Sequence, residues 1–139
     1  MVHISPDGCI YFAPSDMGKV LKHVTSTSTS TLEGEDYGHG YGYGSFKWYS
    51  GVYINHSVYF APSHSKQVLK IDTNTDSTTK IGQEFSGGGK WRGGVLGGDG
   101  CVYFAPFCAK QILRVNSFKN NKCTLIGKKM TETINGMVE

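Results

Sequence analysis

Short apolar runs separated by polar, glycine-rich turns divide the chain, and the runs come back at fixed distances. Ile10-Tyr11-Phe12-Ala13-Pro14 recurs as Val58-Tyr59-Phe60-Ala61-Pro62 and as Val102-Tyr103-Phe104-Ala105-Pro106, at intervals of 48 and 44 residues. Six residues past each proline a second apolar run opens, at Val20-Leu21, Val68-Leu69 and Ile112-Leu113. Such spacing is the mark of a repeat architecture. No window shows the sustained 3.6-residue apolar spacing of a capped helix. Abundant glycine, threonine and tyrosine with short alternating runs predict strands joined by turns.

Each repeat reads as four strands. Asp7-Gly8 and Asp99-Gly100 stand between two short apolar segments, and this dipeptide predicts a hairpin with a type I′ turn. Asn55-His56-Ser57 replaces it in the middle copy. The Tyr-Phe strand ends at proline, which cannot donate to a sheet ladder. A third strand follows at Val20 to Val24, Val68 to Ile71 and Ile112 to Val115. A polar turn such as Thr73-Asn74-Thr75-Asp76 then leads to a fourth, Thr79-Lys80-Ile81 and Thr124-Leu125-Ile126, closed by Gly82 and Gly127. The Ser/Thr tract Thr25 to Thr31 reads as a flexible excursion within copy one.

Glycine-rich connections lead into Lys47-Trp48-Tyr49-Ser50-Gly51-Val52 and Lys90-Trp91-Arg92-Gly93-Gly94-Val95, which read as first strands of the following units. Thr133-Ile134-Asn135-Gly136-Met137-Val138 aligns with them, with Ile134 in the tryptophan position. The chain is therefore expected to be a single repeat domain with units at about 1–45, 46–88 and 89–132 and a closing strand at 133–139.

Four short strands per unit, a hairpin before an Ile-Tyr-Phe strand, and Val68-Leu69-Lys70-Ile71-Asp72 followed by a polar turn resemble the blades of β-propellers of the non-WD type. That class includes virginiamycin-B-lyase-like and strictosidine-synthase-like proteins. The resemblance implies an all-β fold of three tandem four-stranded blades, with the C-terminal strand completing a permuted blade. A β-trefoil, also built of three units, is the alternative. Closed propellers use about four to eight blades. Three blades leave two sheet faces uncovered, which predicts self-association or a place in a larger assembly.

If these are blades, one face carries Lys47, Trp48, Lys90 and Trp91, together with the loop residues His64 and Lys66. Lysine charge and indole rings there suit an anionic small ligand or a carbohydrate. A repeated large aromatic is also a normal way to fill a repeated interface, and the tryptophans are expected to pack between adjacent blades. The histidines His3, His23, His39, His56 and His64 share no metal-ligand spacing, most aspartates are accounted for by turns, and no Ser-His-Asp set can be drawn. Gly87-Gly88-Gly89-Lys90 lacks Walker spacing and a following helix. The expectation is a non-enzymatic binding or scaffold module without a cofactor or metal. A carbohydrate-binding trefoil or small propeller is the alternative, and a lactonase- or lyase-type propeller stays open because fold does not dictate activity. The Gly/Tyr-rich stretch Gly34 to Gly44 reads either as a recognition loop or as a disordered insertion.

Composition narrows the partners. The formal net charge is +3 with lysines spread along the 139 residues rather than clustered, which argues against nucleic acid. No apolar run approaches the ~20 residues of a membrane span. Cys9 and Cys101 hold the same repeat position after Asp-Gly, as small buried hydrophobes do. With no Cys-x-x-Cys pair the four cysteines read as reduced thiols in an intracellular setting. A secreted chain whose signal had been removed would look the same. Asn55-His56-Ser57 fits a glycosylation sequon, but it falls in a tight turn.

Overall fold

The computed structural model describes residues 2–38 and 46–130, with side chains from Ser5 onward. Twelve strands form three separate four-stranded antiparallel sheets, each in plain sequence order. The first holds β1 (Val2–Ile4), β2 (Cys9–Phe12), β3 (Val20–Val24) and β4 (Thr29–Glu33). The second holds β5 (Trp48–Ile54), β6 (Ser57–Pro62), β7 (Val68–Asp72) and β8 (Thr78–Ile81). The third holds β9 (Trp91–Leu96), β10 (Val102–Pro106), β11 (Ile112–Asn116) and β12 (Lys122–Ile126). No helix occurs among the described residues.

The first strands stand together, β1 beside β5 and β5 beside β9. Each sheet thus starts near a common centre and runs outward, as propeller blades do. Three independent meanders are not the shared barrel of a trefoil, and the trefoil alternative falls on that point. The expected closing strand at 133–139 and most of the Gly34 to Gly44 stretch lie outside the described residues.

The core forms between sheets, because each blade is apolar on both faces. Tyr11 and Val20 of the first sheet pack with Trp48, Val58, Phe60, Leu69 and Ile71 of the second. The opposite face of the second sheet gives Val52, Tyr59, Ala61 and Val68, which meet Trp91, Val102, Phe104, Leu113 and Val115 of the third. Alternation along each strand serves two seams at once. Gly94 lets β9 lie close against β5, since a Cβ there would stand 2.8 Å from the Val52 side chain and 2.9 Å from the Phe104 ring.

Two local expectations change. The type I′ turn occurs at Asn55-His56, where both residues have positive φ (50° and 58°) between the paired Ile54 and Ser57. At the Asp-Gly sites only glycine is left-handed (Gly8 at 84°, Gly100 at 78°). There Gly8 N–H donates to Ser5 C=O (3.0 Å) and Ser5 N–H to Cys9 C=O (2.7 Å), and Gly97–Cys101 repeats the pattern. These are longer loops in which glycine follows an ordinary turn. Asp7 and Asp99 keep right-handed backbones and accept from the N–H two residues on, at Cys9 (3.3 Å) and Cys101 (3.0 Å).

The Ser/Thr tract is likewise no excursion. Its C-terminal half is β4, paired with β3 from Val20↔Glu33 to Val24↔Thr29. Threonine suits a half-solvated edge strand, and the missing apolar residues reflect only that this strand is exposed.

Candidate functional site

Both Lys-Trp pairs sit where a first strand enters its sheet, and each performs the same tasks. Trp48 is 1 % exposed and Trp91 2 %, so neither indole presents a face to solvent. Each indole N–H donates to a glutamine carbonyl of its own sheet, Trp48 to Gln67 and Trp91 to Gln111, both at 2.8 Å. Those glutamines reach on to the glycines that end the fourth strands, Gln67 to Gly82 C=O and Gln111 to Gly127 C=O, both at 2.8 Å. An aromatic ring meets each indole edge-on, Tyr37 on Trp48 and Phe85 on Trp91, with centroids 5.0 Å apart in both pairs.

The lysines bind backbone. Lys90 Nζ donates to the carbonyls of Ser63 (3.0 Å), Ser65 (2.8 Å) and Gly87 (2.7 Å), matching its three protons to three acceptors. Lys47 Nζ donates to Ser15 C=O at 3.0 Å and, at the limit of a hydrogen bond, to Asp16 C=O at 3.5 Å. Burial lowers the pKa of both ammonium groups, with Asp16 opposing the shift at Lys47. The main chain repeats the link. Lys47 N–H donates to Ser15 C=O, Ser63 N–H to Lys47 C=O, Lys90 N–H to Ser63 C=O, and Phe107 N–H to Lys90 C=O, at 2.8 to 3.2 Å. One loop per sheet is thereby pinned to the next.

All the expected ligand residues except Lys47 line one of two neighbouring hollows. Trp48, His64 and Lys66 line one of about 250 Å³, with Gln67, Lys80 and Glu84. Lys90 and Trp91 line another of about 410 Å³, with Phe85, Cys108, Lys110 and Lys129. Between the hollows the Gly87 to Gly89 loop passes so close that a Cβ on Gly88 would stand 3.1 Å from the His64 ring.

One grouping has no counterpart among the expected residues. The partner strands skip a residue just after each tryptophan: Trp48 pairs Pro62 but Gly51 pairs Phe60, and Trp91 pairs Pro106 while Gly93 pairs Ala105. Bulges of this kind re-aim a side chain. Here the re-aimed residues are Tyr49, with Ser50, and Arg92. The Arg92 guanidinium lies 3.8 Å from the centroid of Phe107 and 5.1 Å from that of Tyr49. Phe46 stacks on Tyr49 (5.7 Å) and leans toward His64 (6.4 Å). Among the described residues no carboxylate pairs with Arg92, and its Nε is buried without a partner. Phe46 and Phe107 are 42 % and 61 % exposed. The sequence carries no signal for this grouping, since the extra residue in each first strand shows only once the strands are paired. No three His, Cys, Asp or Glu side chains among the described residues converge on a common point.

No protein-family profile matches the chain, and no curated protein does. Solved structures do. A catalytically inactive H270A virginiamycin B lyase from Staphylococcus aureus with quinupristin superposes with a TM-score of 0.68 at 15 % identity, over 99 % of this chain and 46 % of that one. A streptogramin B lyase gives 0.67 at 16 % identity, over 99 % and 45 %. An auxiliary nutrient binding protein from Bacteroides thetaiotaomicron gives 0.54 at 15 % identity, over 94 % and 35 %. The chain has the non-WD β-propeller fold of these proteins and spans less than half their length.

Proposed function

We propose that the chain is a non-enzymatic binding module. Its sheets complete a propeller ring by association, and its re-aimed arginine takes an anionic, planar group such as a carboxylate. The observation that carries this reading is Arg92, which lies over two aromatic rings and has no acidic partner among the described residues. Ring contacts of this kind hold a guanidinium, and its planar fork of donors suits a carboxylate. An arginine serving only the fold would more commonly meet a carboxylate or carbonyl, as Lys90 does here.

The test is an NMR titration of the chain with benzoate, inorganic phosphate and glucose. Benzoate is expected to shift the amides of Tyr49, Arg92 and Phe107, and Arg92→Gln to abolish the response. Absence of any shift at millimolar benzoate would remove the reading. A response to glucose that survives Arg92→Gln would favour the carbohydrate alternative. That alternative would then rest on Phe46 and Tyr49, since both indoles are buried.

A further inference from the structure

The two seams inside the chain share a polar bolt at the outer end, and the third sheet carries half of one. In the first seam Tyr11 Oη donates to Asp76 Oδ1 (3.1 Å) and Lys22 Nζ pairs with Asp76 Oδ2 (2.7 Å). In the second, Tyr59 Oη donates to Asn121 Oδ1 (2.5 Å), with Lys70 over the Tyr59 ring at 5.9 Å. Tyr103 and Arg114 occupy the same paired positions on β10 and β11. With no fourth sheet among the described residues, they turn to their own hairpin, Tyr103 Oη to Asp99 at 2.5 Å and Arg114 to Asp99 at 3.2 Å.

The acceptor position is defined by backbone. Asp76 and Asn121 each sit in the left-handed region (58° and 55°) in the turn that leads into the fourth strand. Ser28, at 53°, holds that position in the first sheet and bolts nothing. The apolar faces match in the same way. Val52, Tyr59, Ala61 and Val68 are buried against the third sheet, whereas of their counterparts Val95 and Ala105 are exposed, Val95 at 63 %, and Tyr103 and Ile112 half-buried. They border a groove of about 430 Å³ that also takes in Gly94, Phe104 and Met130. On the far side of the first sheet Ile10, Phe12 and Leu21 are half-buried, where their counterparts Val58, Phe60 and Leu69 are fully buried in a seam.

We propose that the open face of the third sheet docks the first sheet of a second copy of this chain, head to tail, with Ser28 of that copy reaching Tyr103 and Arg114. This rests on the association part of the reading above and names its partner. Two facts select a second copy. The missing acceptor and the missing apolar face are both present, unused, on the other end of the same molecule. The chain also covers 46 % of the lyase it superposes on, so two copies account for nearly a whole propeller of that size. A head-to-tail contact made twice closes into a two-fold ring, whereas one that does not close grows into a fibre.

Sedimentation equilibrium of the chain tests it. The expected species is a dimer of the 15.2 kDa chain. Ala105→Arg on one face and Leu21→Arg on the other should each weaken dimerisation at least tenfold, with far-UV circular dichroism confirming folded monomers. Mixing the two variants should restore a dimer, because one seam then joins two intact faces. A wild-type monomer would overturn the proposal. A dimer broken by Ala105→Arg but indifferent to Leu21→Arg would equally overturn it, pointing to a back-to-back pair. Benzoate binding by the monomeric variants keeps the rim reading separate from either outcome.

Discussion

Tyr59 of the second sheet donates its phenol to Asn121 of the third at 2.5 Å. Sixty-two residues separate them in sequence, and the contact exists only once two complete blades have formed. Tyr11 and Asp76 repeat it one seam earlier. Both tyrosines belong to the recurring Tyr-Phe-Ala-Pro stretch, so the strand motif is also the outer fastener of each seam. Its phenol is buried at the ring and satisfied at the hydroxyl, as a buried tyrosine requires.

Burial raises the pKa of Tyr59 to about 12 and pushes that of Tyr11 higher still. An unfolded tyrosine ionises near about 10. Between those values the folded chain keeps phenol protons that the unfolded chain has released, so, against the opposing burial-lowered Lys47 and Lys90, the phenols lose their contribution to stability as pH rises through this window. Lys22 acts in the same direction. Its hydrogen bond to Asp76 raises its pKa, and that contribution is full below the unfolded lysine value and lost above it. Urea midpoints measured from pH 9 to 12 should fall steadily, and Tyr59→Phe should flatten the slope. A flat wild-type profile would contradict the buried-phenol account.

Trp91 fills the second seam against Phe85, Ala61 and Val68. Trp91→Ala should cost about 3–5 kcal/mol, the range for large aromatic truncation in a core. Trp91→Phe should cost clearly less. Denaturant unfolding followed by circular dichroism measures both, and an effect below about 1 kcal/mol, the range of an ordinary surface substitution, would mean that the seam is not the core.

Lys90 and Lys47 do the same work at different depths. Lys90 is 4 % exposed and serves three carbonyls, whereas Lys47 is half-buried and serves Ser15 chiefly. Lys90→Met would strand buried acceptors at a cost of about 1–3 kcal/mol each where water cannot enter. Lys47→Met should cost distinctly less. The order of the two unfolding midpoints is the measurement, and its reversal would refute the carbonyl-clamp role.

The thiols should divide by burial. Cys108 is exposed, while Cys9, Cys101 and Cys123 are buried, and burial raises the pKa of Cys9 and takes that of Cys123 to about 11. Thiolate is the reactive form. With Ellman's reagent at pH 8 one thiol should react quickly in the native chain and four after denaturation.

The blade grammar was legible because each strand carries its own period-two pattern and each turn its own glycine or asparagine. Tyr11, Tyr59 and Tyr103 announced the second strands without any tertiary information. β4 is not legible, since an outermost strand with solvent on it needs no apolar residue, and Thr25 to Thr31, which overlaps it, therefore reads as a flexible excursion. The exact turns at Asp7-Gly8 and Asn55-His56 depended on loop length, which the dipeptide alone does not reveal. The rim was least legible of all. Lys47, Trp48, Lys90 and Trp91 stand out by repetition, but the tryptophans are buried in the seams and the lysines are taken up by backbone carbonyls. Arg92 does not repeat, and its aim depends on a bulge that only pairing with Ala105 and Pro106 makes visible.

Asp16, His64 and Cys108 hold equivalent loop positions on successive sheets, and the loops that bear them are tied down by main-chain bonds running from Ser15 through Lys47, Ser63 and Lys90 to Phe107. A backbone tether does not read the side chain it carries. The three sites already differ, as an aspartate, a histidine and a cysteine, while the backbone tether between them stays the same. The molecule works as a rack with fixed slots and exchangeable contents, so new recognition could arise by single substitutions on a frame that need not change.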